Sequence, residues 1–568
     1  MKLQFKHQPF QAEAAAAVCD VFNGQPYRTV TYRRDLGDTA GQQLSMEDSE
    51  VGFRNQPFIP ELTNRRILDN LRTVQRRNGL RPSDELTGTG VNLSIEMETG
   101  TGKTYTYVKT MYELNKRYAW SKYIIVVPSV AIREGVYKSL QTTQEHFADE
   151  YGKKIRFFIY NSDRLTEVDR FASDSAINVM IINVQAFNKS VDANEKLESG
   201  KRADKNAAII FRKLDNFRSR RPIDIIAKTN PILIIDEPQS VEGKQTKERL
   251  KEFCPLLTLR YSATHKADSI YNMVYRLDAM DAYNKRLVKK IAVKGITESG
   301  STATEGFVYL ESINLSKADP TATIQFDYIG AKGLRKKTAT VGIGYNLYDN
   351  SGESGKLDEY KEGFVVKSID GRDNSVEFLN GIKIFAGDVI GKVSEDQLRR
   401  IQIRETILSH LERERQLFHK GIKVLSLFFI DEVAKYKQYD EVGHPFNGIY
   451  ADMFEEEYND ILNSMQREIG DEDYIQYLDA ISAHDTHAGY FSVDKKGKMT
   501  DSKLSDKKEG TSDDIDAYDL IMKNKELLLD RDPKKSPVRF IFSHSALREG
   551  WDNPNVFQIC TLKQSSSE

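Results

Sequence analysis

The residues with the clearest chemical meaning lie in a short glycine-containing segment near position 100. The segment reads Glu98-Thr99-Gly100-Thr101-Gly102-Lys103-Thr104. Its two glycines let the backbone turn sharply, so that several N–H groups can point at one anion. The lysine can then reach the β- and γ-phosphates of a nucleotide, and the threonine hydroxyl can ligate Mg²⁺. This pattern predicts a phosphate-binding loop at 99–104, with ATP and Mg²⁺ as cofactors.

The loop departs from the full phosphate-loop pattern at its first position, where Met97 replaces glycine. An ordinary glycine turn before Lys-Thr is the alternative reading. The flanking sequence argues against that alternative, because apolar and polar residues alternate over 91–95, as in a strand. After Thr104, apolar side chains recur at helical spacing, at Tyr107, Met111, Leu114 and Tyr118. A strand, a turn and a helix N-terminus are the setting that phosphate binding requires.

Two adjacent carboxylates supply the second half of such a site. The apolar run 232–235 is followed directly by Asp236 and Glu237. At a strand tip beside the γ-phosphate, Asp236 would hold Mg²⁺ through water, and Glu237 would activate the attacking water. A generic acidic turn is the alternative. With Lys103, these acids form the predicted catalytic set, and with Thr104, Asp236 forms the predicted metal site.

The elements that position these residues are predicted from hydrophobic patterning. A helix is indicated over 9–22, and a polar, turn-rich insertion with some helix at 61–77 occupies 40–90. Six strand-like runs follow, several of them continuously apolar, with helical patterns between most of them. They lie at 91–95, 123–127, 155–160, 179–182, 232–235 and 257–261. This order predicts an α/β domain with a doubly wound parallel sheet.

The pattern changes after about residue 290. Short strands and turns fill 290–392, including a hairpin over 375–385 with Asn380-Gly381 at its turn, which predicts a small inserted antiparallel β-domain. A helix at 395–419 then leads into a second α/β domain. The predicted boundaries are 1–270 for the first domain, 271–294 for connecting helices, 295–392 for the β-domain and 393–568 for the second α/β domain, with a helical, charged insertion at about 437–530.

One histidine pair in that insertion raises the question of a metal site. His484 and His487 are close enough in sequence to share an ion, but no Cys or Glu nearby completes a ligand set. We therefore expect a loop here. A second mobile loop is expected at 494–516, which is rich in Lys, Asp, Ser and Thr.

Composition limits the classes of partner. The 568 residues carry a formal net charge of -2, so any nucleic-acid contact must come from local patches. The basic segment 201–222 could track phosphates or could be a solvated surface. Three scattered cysteines, no secretory signal pattern and no membrane-length apolar run predict a cytoplasmic protein that does not contact a membrane.

Taken together, the motifs resemble those of superfamily 2 helicase-like motors. Three segments are similar in sequence to the restriction (Res) subunit of type III restriction-modification enzymes. They are 98–104, Asp236-Glu237-Pro238-Gln239 and Leu547-Arg548-Glu549-Gly550-Trp551-Asp552-Asn553-Pro554-Asn555. The resemblance covers nearly the whole chain and implies that both α/β domains are RecA-like.

The resemblance also implies roles for further residues. Gln11 would bind the adenine edge, and Gly550 and Asp552 would contact the nucleotide and the coupling network. Ser262, Ala263 and Thr264 would couple the nucleotide site to the nucleic acid. The residues implied to face the nucleic-acid backbone are Pro128, Ser129, Arg133, Asn183 and Gln185.

The implied activity is ATP hydrolysis coupled to double-stranded DNA, by translocation or switching, in complex with a modification (methyltransferase) subunit. An arginine-finger motif and a nuclease domain would follow residue 568, so this chain is expected to hydrolyse ATP weakly or not at all and not to cleave DNA. A stand-alone DNA or RNA remodelling helicase and a non-catalytic, ATP-gated DNA-binding module remain alternatives.

Overall fold

A computed structural model of the chain describes fifteen stretches of it. They are residues 5–34, 51–188, 209–241, 243–266, 269–293, 297–298, 306–315, 319–331, 333–353, 355–391, 394–465, 471–493, 499–500, 528–544 and 553–562. The described residues up to Lys290 form one compact unit, and those from Ile291 onward form a second.

The first unit is an α/β structure. Its helices are α1 (Pro9–Asp20), α2 (Asn64–Arg77), α3 (Lys103–Tyr118), α4 (Val130–Tyr151), α5 (Thr166–Ser173), α6 (Gln185–Asn188), α7 (Pro222–Lys228), α8 (Lys244–Lys251) and α9 (Ala279–Asn284). Its strands are β1 (Val30–Arg33), β2 (Val51–Arg54), β3 (Val91–Met97), β4 (Lys122–Val127), β5 (Arg156–Ile159), β6 (Asn178–Asn183), β7 (Ile232–Asp236), β8 (Leu257–Ser262) and β9 (Met273–Leu277).

Seven of these strands form one parallel sheet in the order β5-β6-β4-β7-β8-β3-β9. The continuous apolar runs are explained by burial on both faces. In β7, Ile232 and Ile234 pack into one core, and Leu233 and Ile235 pack into another. The doubly wound α/β fold predicted from the apolar runs is therefore confirmed, and all six predicted strands are present.

The seventh strand, β9, falls in the segment 271–294 that was predicted to hold connecting helices. It pairs with β3 at the edge of the sheet, and the short helix α9 follows it. The five-residue strand contains Arg276, whose exposed side chain interrupts the apolar run, so its sequence pattern is weak.

The side chain of Asn55 is among the buried groups that tie the insertion predicted over 40–90 to the sheet. Asn55 is 1% exposed, and its amide donates to the carbonyl oxygens of Lys122 (2.9 Å) and Asn230 (3.0 Å). Its side-chain oxygen accepts the N–H groups of Ser121 (2.7 Å) and Lys122 (3.0 Å). One asparagine therefore satisfies backbone groups at the start of β4 and before β7.

We predict that Asn55→Ala lowers the free energy of unfolding of the first unit by about 2–4 kcal/mol, because it leaves several buried backbone groups without partners. Urea denaturation followed by circular dichroism measures this change. The matched control is Asn284→Ala at an exposed position of α9, for which we expect little effect. Equal stability of the two variants would contradict the anchoring role of Asn55.

The second unit contains two kinds of sheet. Its helices are α10 (Glu395–Phe418), α11 (Ile449–Ser464) and α12 (Glu472–Asp479). Its strands are β10 (Thr297–Glu298), β11 (Val308–Asn314), β12 (Thr321–Gly330), β13 (Gly333–Val341), β14 (Val366–Asp370), β15 (Ser375–Phe378), β16 (Lys383–Phe385), β17 (Asp388–Ile390), β18 (Leu425–Ile430), β19 (Lys437–Tyr439), β20 (Pro445–Asn447), β21 (His487–Tyr490), β22 (Ser492–Val493), β23 (Met499–Thr500), β24 (Phe540–Ser543) and β25 (Val556–Leu562).

The strands up to β17 form the small, largely antiparallel part of this unit. They make a five-stranded sheet in the order β10-β17-β11-β12-β13 and a three-stranded sheet in the order β14-β15-β16. The predicted hairpin is β15 paired with β16. The inserted antiparallel β-structure expected from the turn-rich sequence is thus confirmed.

A second parallel sheet has the order β21-β24-β18-β25. Its first strand, β21, lies inside the segment that was predicted as a helical, charged insertion. The strand reads His-Ala-Gly-Tyr and contains no β-branched residue, so it carries no pattern typical of a strand. The insertion therefore contributes to the core sheet, in addition to α11 and α12.

A search of the helices in the described ranges finds none that is long and apolar enough to cross a membrane.

Candidate nucleotide-binding site

The parallel register of the first sheet brings the ends of three strands to one level. In the pairing of β3 with β8, Glu96 lies opposite Ser262, and in the pairing of β7 with β8, Asp236 lies opposite Tyr261. The residues that follow each strand therefore emerge at the same edge of the sheet. Ligands of open α/β sheets bind at this carboxyl edge.

The glycine loop after β3 has the backbone that its sequence predicts. Gly100 and Gly102 have φ angles of 82° and 87°, in the left-handed region that favours glycine. A Cβ atom at Gly102 would lie only 2.6 Å from the Gln11 amide nitrogen. Met97, which replaces the first glycine of the usual pattern, is fully buried in the core at the end of β3. Its departure from the pattern is thus explained by packing.

Hydrogen bonds inside the loop fix its shape. The Gln11 amide donates to the carbonyl oxygen of Thr101 (2.9 Å), and the Thr101 hydroxyl donates to the carbonyl oxygen of Glu98 (2.6 Å). Gln11 itself is buried at the start of α1. The structure therefore places this predicted adenine-binding residue directly against the glycine loop.

Lys103 and Thr104 occupy the first turn of α3, immediately after Gly102. The N-terminus of a helix carries unpaired N–H groups and a partial positive charge, both of which favour an anion. Lys103 forms an ion pair and hydrogen bond with Glu237, which follows β7. The lysine and the acid predicted to act on one triphosphate are therefore in contact.

Glu237 is held in an unusual backbone conformation at the tip of β7. Its φ is 52°, which is rare for a residue with a side chain and marks local strain. Its carboxylate also accepts from the Gln239 amide (2.7 Å) and the Ser262 hydroxyl (3.3 Å). Burial alone raises the pKa of Glu237, but Lys103 and these donors hold the pKa below its ordinary value. Glu237 is thus an ionised carboxylate at neutral pH.

Asp236 has the opposite electrostatic character. It is 5% exposed, and the Tyr107 hydroxyl lies 3.4 Å from its Oδ2 atom. Burial raises the pKa of Asp236 to about 6, against the lowering effect of Lys103. Hydrogen bonds from the Tyr107 hydroxyl and the Glu237 N–H do not offset the cost of burying this carboxylate, and a cation would do so.

We predict that Asp236→Asn stabilises the protein at pH 8. An aspartate whose folded pKa is raised ionises near pH 4 when unfolded and near pH 6 when folded, so the wild type loses stability as the pH rises through this window. The variant avoids that loss, which amounts to about 1–3 kcal/mol. Urea denaturation in the absence of nucleotide and Mg²⁺, at pH 4 and at pH 8, tests this. A gain of equal size at both pH values would contradict the prediction.

The predicted coupling residues adjoin the acids. The Ser262 hydroxyl lies 2.9 Å from the Gln239 side-chain oxygen and 2.8 Å from the Thr264 carbonyl oxygen. The Thr264 N–H in turn donates to the Ser262 hydroxyl (3.2 Å), with Ala263 at the bend between them. The end of β8 is therefore linked by hydrogen bonds to the residues that follow β7.

The residues predicted to face a nucleic-acid backbone follow β4 and β6 at the same edge. After Pro128, the Ser129 hydroxyl accepts the Ile132 N–H (3.3 Å) and caps α4, while Arg133 pairs with Glu134 (2.8 Å). At the last position of β6, the Asn183 side-chain oxygen accepts the Gln185 N–H (2.8 Å). Ser129 and Asn183 thus have capping roles, and their contact with nucleic acid stays a prediction.

All or part of three other predictions lies outside the described residues. These are Gly550 and Asp552, the first part of the basic segment 201–222 (201–208), and most of the loop predicted at 494–516. Within the described part of the basic segment, Arg220 is buried and pairs with Asp169 (3.0 Å). This arginine therefore packs within the fold and is not available to a phosphate backbone.

Two members of the site were missed by sequence reasoning. Tyr107 was identified only as an apolar position of α3, because helical spacing does not show that its hydroxyl reaches Asp236. Gln239 was noted only as part of a motif, although its amide contacts Glu237. A polar group on an otherwise apolar helix face was the available signal for Tyr107.

Comparison with known proteins identifies related chains. Residues 65–267 match the family model "Type III restriction enzyme, res subunit". The Res subunit of the type III restriction-modification enzyme EcoP15I from Escherichia coli is 32% identical over 578 residues, covering 99% of this chain and 53% of that protein. The EcoPI Res subunit of Escherichia phage P1 is 31% identical, covering 89% of this chain and 49% of that protein.

This chain therefore spans about half the length of the curated relatives it matches. Among solved structures, a Sulfolobus solfataricus SWI2/SNF2 ATPase core in complex with dsDNA is 14% identical, with a TM-score of 0.20 over 36% of this chain and 33% of that chain. That likeness is too low to support an argument. The sequence relatives confirm the resemblance that the motifs predicted.

Proposed function

Since residues 65–267 belong to the family of type III restriction enzyme Res subunits, we propose that this chain is the ATP-hydrolysing motor part of such an enzyme. In this proposal, ATP hydrolysis drives translocation along double-stranded DNA or a switch between DNA-bound states. A modification (methyltransferase) subunit is the protein partner, the cytoplasm is the compartment, and DNA cleavage belongs to the whole enzyme.

The observation that carries the proposal is the convergence of Lys103, Asp236 and Glu237 at the carboxyl edge of one parallel sheet. The three residues come from the start of α3 and the end of β7, and Lys103 contacts Glu237 directly. An ion pair between Lys103 and Glu237 that served only stability would not require left-handed glycines at positions 100 and 102. The loop, the helix N-terminus and the acids together form a site for a triphosphate.

The donor set fits Mg²⁺. A hydroxyl at Thr104 and a carboxylate at Asp236 are oxygen ligands of the kind that this hard cation prefers, and burial raises the pKa of Asp236 despite its hydrogen bonds from Tyr107 and the Glu237 N–H. When bound, Mg²⁺ would neutralise charge on the β- and γ-phosphates. The remaining chemistry belongs to side chains of this protein.

Lys103 and Glu237 have linked roles in the proposed mechanism. Lys103 binds the β- and γ-phosphates, and in doing so it leaves Glu237. The freed carboxylate then orients a water molecule and takes its proton as the water attacks the γ-phosphate. Ser262 and Gln239 keep that carboxylate in place, because both contact it from the neighbouring strand end and turn.

We predict that Lys103→Ala abolishes ATP binding without unfolding the protein, since the side chain serves the ligand and not a core. Calorimetry with Mg²⁺ and ATP measures affinity, and circular dichroism checks the fold. Lys116→Ala is the matched control, because Lys116 is an exposed lysine in the last turn of the same helix. Unchanged affinity in Lys103→Ala would remove the phosphate-loop assignment.

We predict that Glu237→Gln retains ATP binding but lowers the hydrolysis rate by about 100-fold or more, because the amide cannot take the proton from water. ATP turnover is measured with and without double-stranded DNA, both for this chain alone and for the assembled enzyme of the proposal. DNA should stimulate the assembled enzyme and not its Glu237→Gln variant. Absence of DNA-stimulated turnover in the assembled enzyme would contradict the motor and favour an ATP-gated binding module.

A further inference from the structure

A cluster of three potential metal ligands lies in the second unit, among residues that take no part in the nucleotide site. We name it the His–Glu cluster, and it consists of Glu455, His484 and His487. Glu455 lies on α11, His484 in the 3₁₀ turn Ala483–Thr486, and His487 at the first position of β21. The sequence near His484 and His487 offered no glutamate to complete a ligand set. The structure supplies one, Glu455, from the separate helix α11.

The spacing of the three side chains fits a small cation. Glu455 Oε1 lies 2.9 Å from His484 Nδ1 and 3.2 Å from His487 Nε2. One ligand atom from each residue lies within 4.8 Å of the other two. Ligand atoms about 2.0–2.1 Å from a tetrahedral ion are about 3.3–3.4 Å apart.

Partners behind the cluster hold two of the ligands in position. The Tyr436 hydroxyl lies 2.8 Å from His487 Nδ1, the ring nitrogen that does not face Glu455. The Asn447 amide donates to Glu455 Oε1 (2.8 Å). Metal-binding histidines commonly have such a partner on the second ring nitrogen, which fixes the ring and its tautomer.

The cluster is closed on one side and open on the other. The His487 side chain is 3% exposed, Glu455 is 25% exposed and His484 is 61% exposed. The buried ring of His487 packs against Phe454 and Phe542, at centroid distances of 4.9 and 5.9 Å. An ion could thus reach the cluster from solvent and keep a water molecule as a fourth ligand, while the inner ligand stays rigid.

We propose that Glu455, His484 and His487 bind one divalent transition-metal ion, which fixes α11 to the start of β21. Two imidazole nitrogens and one carboxylate oxygen suit zinc and its neighbours better than magnesium or calcium, which prefer oxygen ligands. The ion has a structural role here, because β21 is an edge strand with weak strand propensity. Among the strands of the described ranges, β21 pairs with β24 alone.

The competing explanation is a hydrogen-bonded cluster without metal, in which a protonated histidine pairs with Glu455. The chain offers a matched control for this explanation. His444 is also exposed and lies 3.2 Å from a carboxylate, that of Asp440, and it is not a member of the His–Glu cluster. A site built for metal should distinguish His484 from His444, whereas simple histidine–carboxylate pairing should not.

The test uses the 568-residue chain, freed of metal by chelation and kept without nucleotide. Zinc is titrated by calorimetry, and Co²⁺ is used as a spectroscopic probe of coordination. We expect one zinc per chain, and a loss of affinity of at least about tenfold in His484→Gln and in Glu455→Gln but not in His444→Gln. Co²⁺ should give the visible absorption of a four-coordinate site only where the cluster is intact.

A second variant separates a metal site from a merely structural contact. Tyr436→Phe removes the hydroxyl group that contacts His487 Nδ1 but keeps the aromatic ring of residue 436. Zinc affinity should therefore fall by about tenfold while the fold is retained. Zinc should also raise the melting temperature of the wild type and His444→Gln, and not that of His484→Gln. Absence of stoichiometric zinc binding in the wild type, or equal binding in all variants, would overturn the proposal.

Discussion

The first unit depends on the parallel register of β3, β8 and β7. Backbone hydrogen bonds between these strands set Glu96, Ser262 and the Tyr261–Asp236 pair at one level of the sheet. A slip of one residue would turn every side chain of a strand to the opposite face, and both faces of this sheet are buried. The core therefore fixes the register, and the register in turn brings Lys103 to Glu237.

The site at that edge is locally unfavourable for folding. Asp236 is a buried carboxylate whose pKa is raised to about 6, and Glu237 has a left-handed backbone conformation. The surrounding sheet must supply the stability that these two residues remove. Such strain and charge burial are expected where a protein is shaped for a ligand, since stability and function often conflict at the same residues.

Sequence reasoning was most successful where the signal is local and repeated. Apolar runs and apolar–polar alternation identified six strands of the main sheet, and glycine spacing identified the loop with its left-handed residues. Sequence reasoning failed for β9 and β21, which are short edge strands without a long run of apolar residues. These two strands are stabilised by pairing with β3 and β24, which are distant in the sequence, so their own residues do not indicate a strand.

The same distinction applies to side chains. The types and order of Lys103, Asp236 and Glu237 were sufficient to predict that they meet. The approach of Tyr107 to Asp236, and of Glu455 to two histidines about thirty positions later, depends on tertiary packing. No spacing rule in a single sequence indicates contacts of that kind, whereas the recurring phosphate-loop pattern does indicate its own.

The central claim is that one triphosphate is bound between the glycine loop and the acids that follow β7. A high-resolution structure of this chain with Mg²⁺ and a non-hydrolysable ATP analogue tests it most directly. The account predicts that Lys103 Nζ lies about 3 Å from β- or γ-phosphate oxygens and no longer contacts Glu237. A nucleotide bound elsewhere, with Lys103 still paired with Glu237, would contradict it.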